Sequence, residues 1–205
     1  MTGIWQAVTI FFMGVLSLPA AEAPKLFVWN PPKVAHSLFT RELGLLDSER
    51  DEYATNLSSL AVNQVVAAKA SAESLADARR MIALALHLSP RNKRAIVANF
   101  QLGKGLLPEV SEGNYSPQVF ARLLLTRGQL LAKQEGAENE RLARLFLNLA
   151  SGLDPKNEEV VYASEMDRLD HGPLDWAAVT DTPVSQTDRT DAPQGRGSSP
   201  HLPPP

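Results

Sequence analysis

Ala78-Arg-Arg-Met-Ile-Ala-Leu-Ala85-Leu-His-Leu-Ser-Pro90-Arg-Asn92 recurs 65 residues later as Ala143-Arg-Leu-Phe-Leu-Asn-Leu-Ala150-Ser-Gly-Leu-Asp-Pro155-Lys-Asn157. Aligned at that offset, residues 78–98 match 143–163 at eight of 21 positions, including both alanines, the proline and the asparagine. Small residues seven apart lie on one side of a helix, where a second backbone can come close. The proline that follows stops the helix, and the asparagine two positions on is placed to cap the next one. This is the local logic of stacked antiparallel helical hairpins, an architecture that mostly binds other proteins.

Working outward, the pattern predicts an all-α chain with helices over 49–70, 72–88, 93–104, 117–133, 138–152 and 157–169. Ser48 with Asp51 resembles a helix-start box, and no Pro or Gly interrupts the run from there to Ala70. Ser116-Pro117 places a capping hydroxyl ahead of a proline at the first helical position. Leu142, Leu145, Phe146, Leu149 and Leu153 form one apolar stripe. Glu158 and Glu159 suit the positive end of the last helix. Residues 105–116 are the longest interruption within the folded part.

The ends read differently. Residues 1–21 carry no charge, and Ile4 to Leu18 is an apolar run followed by Leu18-Pro-Ala-Ala-Glu-Ala23, the pattern of a signal peptide cleaved after Ala20 or Ala21. The run is short for a membrane span, which needs roughly 20 residues, and an uncleaved anchor is the alternative. Residues 22–47 read as an extended arm around Trp29-Asn-Pro31-Pro32 and then a short helix over His36 to Leu46. Residues 48–170 form the helical domain. Residues 171–205 read as a mostly disordered tail, poor in large apolar side chains beyond residue 180, with Gly172-Pro173-Leu-Asp-Trp176 able to fold back onto the last helix.

A net charge of −3 gives no footing for general nucleic-acid binding. The chain has no cysteine, which excludes disulfides, thiolate metal sites and a catalytic thiol. His36, His87, His171 and His201 show no pair at helical metal-ligand spacing, so no metal or other cofactor is expected. His87 and His171 each fall at a helix end, where a partly charged imidazole suits the dipole. No phosphate loop or nucleophile elbow is present, and the expectation is a protein without catalysis.

Ala78, Ile82, Ala85 and Pro90, like Ala143, Leu147, Ala150 and Pro155, occur in the order found in the second helix of a tetratricopeptide repeat, and Gly128 and Leu131 stand at small and large positions of a first helix. Residues 49–169 thus resemble that family, though the first-helix Trp is absent and residues 105–116 break the series. The resemblance implies a short solenoid of antiparallel hairpins whose first helices line a groove. Arg94, Gln101 and Lys104 on one such helix, and Arg122, Gln129 and Lys133 on another, would then fall at or near groove positions. A groove so lined favours an acidic peptide or a C-terminal carboxylate. Read from spacing alone, the same stripes are equally the solvated faces of amphipathic helices. The expected function is an exported, periplasmic or envelope-associated module of a bacterium that binds or assembles proteins. It would not bind nucleic acid, and would touch a membrane only if residues 4–18 remain as an anchor.

Overall fold

Both copies of the duplicated segment end a helix in the same way. In a computed structural model that describes residues 27–111 and 113–182, α2 (Ala72–Leu88) and α5 (Ala137–Leu153) stop just before Ser89-Pro90 and Asp154-Pro155. Asn92 Oδ1 then accepts from the Ala95 N–H at 3.0 Å to open α3 (Lys93–Gly103), and Asn157 Oδ1 accepts from the Val160 N–H at 3.3 Å to open α6 (Glu158–His171). Each cap satisfies a backbone donor that the first turn leaves free.

α1 (Asp47–Ala67) precedes α2, and α4 (Pro117–Leu131) precedes α5. α4 starts on the expected Ser116 cap, with Oγ accepting from the Val119 N–H at 3.3 Å. α1 starts two residues earlier than Ser48 suggested. Leu46 holds the cap position, and Glu49 Oε2 reaches back to accept the Leu46 N–H at 2.9 Å. The chain is mostly helical, and among the described residues the helices pair as two antiparallel hairpins, α1 with α2 and α4 with α5. Gly128 lets the second hairpin close tightly: a Cβ there would sit 3.2 Å from the Ala143 carbonyl oxygen.

The hairpins pack through aromatic side chains. Tyr53 of α1 has its ring centroid 4.9 Å from that of Phe146 on α5 and 6.1 Å from that of Phe120 on α4. Arg127 of α4 crosses the same seam to Glu49 at 3.0 Å and to the Gly44 carbonyl at 2.8 Å. On its other flank α1 meets α3, where the Asn92 Nδ2 group donates to Thr55 Oγ1 at 2.8 Å and to Asp51 Oδ1 at 3.0 Å. α6 lies on the far side of the second hairpin, held through Arg144 to Asp167 at 3.1 Å and Ser151 to Ser164 at 3.1 Å. The layers therefore run α3, α1–α2, α4–α5, α6, with the two helices that follow the duplicated turns on opposite flanks.

Two terminal segments complete the structure. The arm contributes β1 (Lys33–Val34), which pairs in parallel with β2 (Asp181–Thr182) at the other end of the described chain. Between α6 and β2 the chain turns at Gly172 (φ 77°), passes Trp176 and forms α7 (Ala177–Thr180). This strap buries Val179, Thr180 and Thr182. Trp176 donates to Asn148 Oδ1 at 2.9 Å while the Arg80 guanidinium lies 5.9 Å from its ring centroid, so the strap bridges α5 and α2 instead of folding onto α6.

Two expectations are corrected. Residues 172–182, assigned from sequence to a mostly disordered tail, are ordered because Val179 packs them on α2 and β2 pairs with β1 of the arm. No helix forms over 36–46. Its backbone donors bond distant side chains in place of local carbonyls: the Leu38 N–H to His87 Nδ1 at 3.2 Å, Thr40 to Glu138 at 2.9 Å and Gly44 to Asn139 at 2.8 Å. Phe39, Leu43 and Leu45 are buried by this path, whereas Leu46 is left outside. The signal peptide and the tail beyond residue 182 lie outside the described residues. Among the described residues no helix is long and apolar enough to cross a membrane.

Candidate functional site

The six polar residues picked out from sequence fall on two surfaces. Arg94 and Lys104 are exposed on α3 and Gln101 is half-buried; Arg122, Gln129 and Lys133 are exposed on α4 and just beyond it. On α4 they lie opposite Phe120, Leu124 and Leu131, which pack inward. α3 and α4 flank α1 on opposite sides, so the stripes do not converge. Between them the chain returns along α1 itself. Asn63 grips Ser111 by both its amide atoms, Nδ2 donating to the carbonyl at 2.8 Å and Oδ1 accepting the N–H at 2.9 Å. Tyr115 donates to Glu52 Oε1 at 3.0 Å. Its ring also stacks on Phe120, with centroids 6.2 Å apart. The α1 face that would floor a groove is thus covered by the protein's own chain.

The flanks are different. α3 buries Ala95, Ala98 and Leu102 and turns Ile96, Val97 and Phe100 outward, Phe100 at 64% exposure. Lys93 and Lys104 share that outward face at helical spacing, and the Lys104 ammonium lies 5.7 Å from the Phe100 ring centroid. α6 buries Val160 and Ser164 and turns outward Tyr162 (68% exposed), Met166 and Leu169 (67%). Glu158, Glu159 and Glu165 are exposed on the same side. The basic residues of α3 stand out in the sequence as a polar stripe. The apolar positions between them are equally spaced in the sequence, and among the described residues no helix covers them.

His87 is the chief titratable group in the interior. It is wholly buried, accepts at Nδ1 from Leu38 of the arm, and lies with Nε2 2.8 Å from the Val179 carbonyl oxygen of the strap. Those partners fix the neutral ring with its proton on Nε2. Burial pushes its pKa below the ordinary value, opposed by the hydrogen bond to Val179. The expected role as a charged group at a helix end is therefore corrected: His87 is a neutral tie to two segments, one 49 residues before it and one 92 residues after it. His171 does sit at the end of α6, with Nδ1 3.2 Å from the Asp167 carbonyl oxygen. Arg79 also joins arm and strap, donating to the Asn30 carbonyl at 2.9 Å and to Asp181 at 2.8 Å, which holds the Asp181 carboxyl below the usual range.

The depressions on the described surface are open to solvent. One, between α5 and the strap, is lined by Glu140, Arg141, Arg144 and Asp175; another, under the arm, by Phe27, Trp29, Leu75 and Arg79. Among the described residues no cluster of three or more His, Asp or Glu is arranged to hold a metal ion. Comparison of the chain with models of known families, with characterised proteins and with solved structures gives no match.

Proposed function

We propose that this chain is a non-catalytic protein-interaction or assembly module built of tetratricopeptide-like helical hairpins, exported to the bacterial envelope. The observation that carries the reading is the pair of flank helices whose apolar faces are uncovered among the described residues. Each is the kind of helix on which a further hairpin packs in a helical stack, and among the described residues none covers its outward face. Ile96, Val97 and Phe100 on α3, and Tyr162, Met166 and Leu169 on α6, give each flank helix an outward apolar strip suited to a contact. A partner segment laid in a groove over α1 would have to displace Ser111 and Tyr115, so the flanks are the more accessible surfaces. Export rests on the uncharged apolar run and the small residues that follow it.

Membrane tethering by residues 4–18 is a second reading, favoured by one contact. Trp29 donates to Asn99 Oδ1 of α3 at 2.9 Å, so the chain arriving from the N-terminal side enters beside the basic and apolar face of α3. The N-terminal residue of the mature protein separates the two: Ala21 or Glu22 supports export of a free module, an intact Met1 the tether.

The module reading is tested by placing a photo-crosslinking amino acid at position 100, at position 162, or at exposed Glu73 as a control, in the native host. Adducts to a discrete protein from 100 or 162 and none from 73 are expected. Absence of protein adducts from both flank positions would contradict the reading.

A further inference from the structure

We infer that copies of this chain associate head to tail, the outward face of α3 in one copy seating on the outward face of α6 in the next. The inference rests on the module reading above and names its partner. The two faces differ in charge. From Arg91 to Lys104 the sequence has four basic residues and no acidic one; from Glu158 to Asp170 it has five acidic residues and one arginine. The helix period puts Lys93, Ile96, Phe100 and Lys104 on the open side of α3, and Glu158, Tyr162, Glu165 and Leu169 on the open side of α6. Each face is an apolar strip edged by charge, and the two signs are opposite. The inward-pointing acid of α6, Asp167, is already taken by Arg144, and Arg168 pairs with Glu165 at 2.7 Å, so Glu158, Glu159 and Asp170 are the acids left open.

The same features argue against other arrangements. Pairing α3 with α3, or α6 with α6, in a two-fold dimer would bring like charges together across an apolar seam of limited size, a substantial electrostatic cost. Pairing unlike faces satisfies both. Because the faces lie on opposite flanks of the molecule, such a contact is heterologous: it leaves one free α3 and one free α6 at the ends, so association continues past the dimer unless the rotation closes a ring. One helix face against another is smaller than a standard stable interface, so the contact is of the weak, reversible class, with a midpoint expected at roughly tens to hundreds of micromolar.

The test is sedimentation velocity of the chain with its native N-terminus, as purified from the host, over a concentration series, with Lys93→Glu/Lys104→Glu and Glu158→Lys/Glu159→Lys as variants. All substituted positions are exposed, and circular dichroism checks that helicity is kept. The wild type is expected to sediment as dimers and larger species as concentration rises, with the midpoint moving at least tenfold higher in high salt. Each variant alone should stay monomeric through the same range. An equimolar mixture of the two variants should associate again, because acidic α3 then meets basic α6. Wild type that stays monomeric throughout, or association indifferent to both reversals, overturns the inference. If wild type stays monomeric while position 100 crosslinks a different protein, the head-to-tail contact fails and the module reading stands. If no adduct forms at either flank, both fail. Wild type that stays monomeric but floats with anionic lipid vesicles, with Lys93→Glu/Lys104→Glu left behind, overturns the contact and assigns the α3 face to lipid.

Discussion

α2 and α5 carry the same pattern of alanines, arginine, leucines, proline and capping asparagine, yet the helices that follow them dock differently. α6 lies chiefly against α5, whereas α3 lies chiefly against α1 and only secondarily against α2. The equivalent arginines show why. Arg144 on α5 holds α6, through Asp167 and the Gly172 carbonyl at 2.9 Å. Arg79, at the same place on α2, holds the arm and the strap through Asn30 and Asp181. The seat that α6 takes on α5 is filled on α2 by β1, α7 and β2, and α3 is left to pack on α1. One local code thus specifies the helix, its stop and the next cap, while the occupant of a neighbouring face decides where the next helix goes.

Equivalent positions in the two halves give paired substitutions that test this difference. The largest effect is expected at Phe146, wholly buried against Tyr53 at the seam between hairpins: Phe146→Ala should cost about 3–5 kcal/mol in urea denaturation. Its counterpart Met81→Ala should cost less, about 2–4 kcal/mol, because the flexible thioether site collapses more readily. Equal losses would mean that α2 contributes to the seam as much as α5 does.

Next comes His87, whose counterpart is Gly152. His87→Ala breaks the ties to both terminal segments and should cost about 2–3 kcal/mol, whereas Gly152→Ala, with open space around the added methyl, should stabilise by about 0.5–1 kcal/mol. His87 also sets a pH dependence. Its folded pKa is lowered, so below its ordinary value near 6.5 the unfolded chain binds more protons than the folded one. The stability it supports is complete above about pH 6.5 and declines as pH falls, by at most about 1.4 kcal/mol per pH unit. Thermal melts of wild type should show that decline between pH 7.5 and 5, and His87→Ala should flatten it. Identical pH profiles would remove His87 as the tie.

The smallest effects are at the caps. Asn157→Ala should cost about 1 kcal/mol, the ordinary loss of one capping bond. Asn92→Ala should cost about 1–2 kcal/mol, since Asn92 also anchors α3 to Asp51 and Thr55 of α1. A ratio near one would show that the α3–α1 anchor adds nothing.

What was legible in the sequence follows the same division. Helix ends were marked by residues acting within a few positions of themselves: Asn92, Ser116-Pro117, Asn157 and the two proline stops. The arm was misjudged because the groups that satisfy Leu38, Thr40 and Gly44 are His87, Glu138 and Asn139, none of them near in sequence. The strap is hard to read for a similar reason, since Trp176-Ala-Ala-Val179 is too short an apolar run to signal an element and gains meaning only against α2 and α5. The turn between α1 and α2 also escaped notice: Lys69 and Ala70 take left-handed conformations (φ 50° and 56°) without the glycine that usually signals them. The basic stripes on α3 and α4 were real as local features. Their assignment to one groove depended on a stacking order that periodicity does not encode.

The central claim is that α3 and α6 end on opposite flanks because the seat on α2 is already filled. The chain's lack of cysteine allows a direct measurement: spin labels at Val97→Cys and Tyr162→Cys, diluted with excess unlabelled chain so that only intramolecular distances are read. Three helix-to-helix steps of about 9–10 Å, plus the reach of the labels, set an expected distance of roughly 30–45 Å. A single distribution in that range supports the account. A dominant distance below about 20 Å would place the two helices side by side and contradict it.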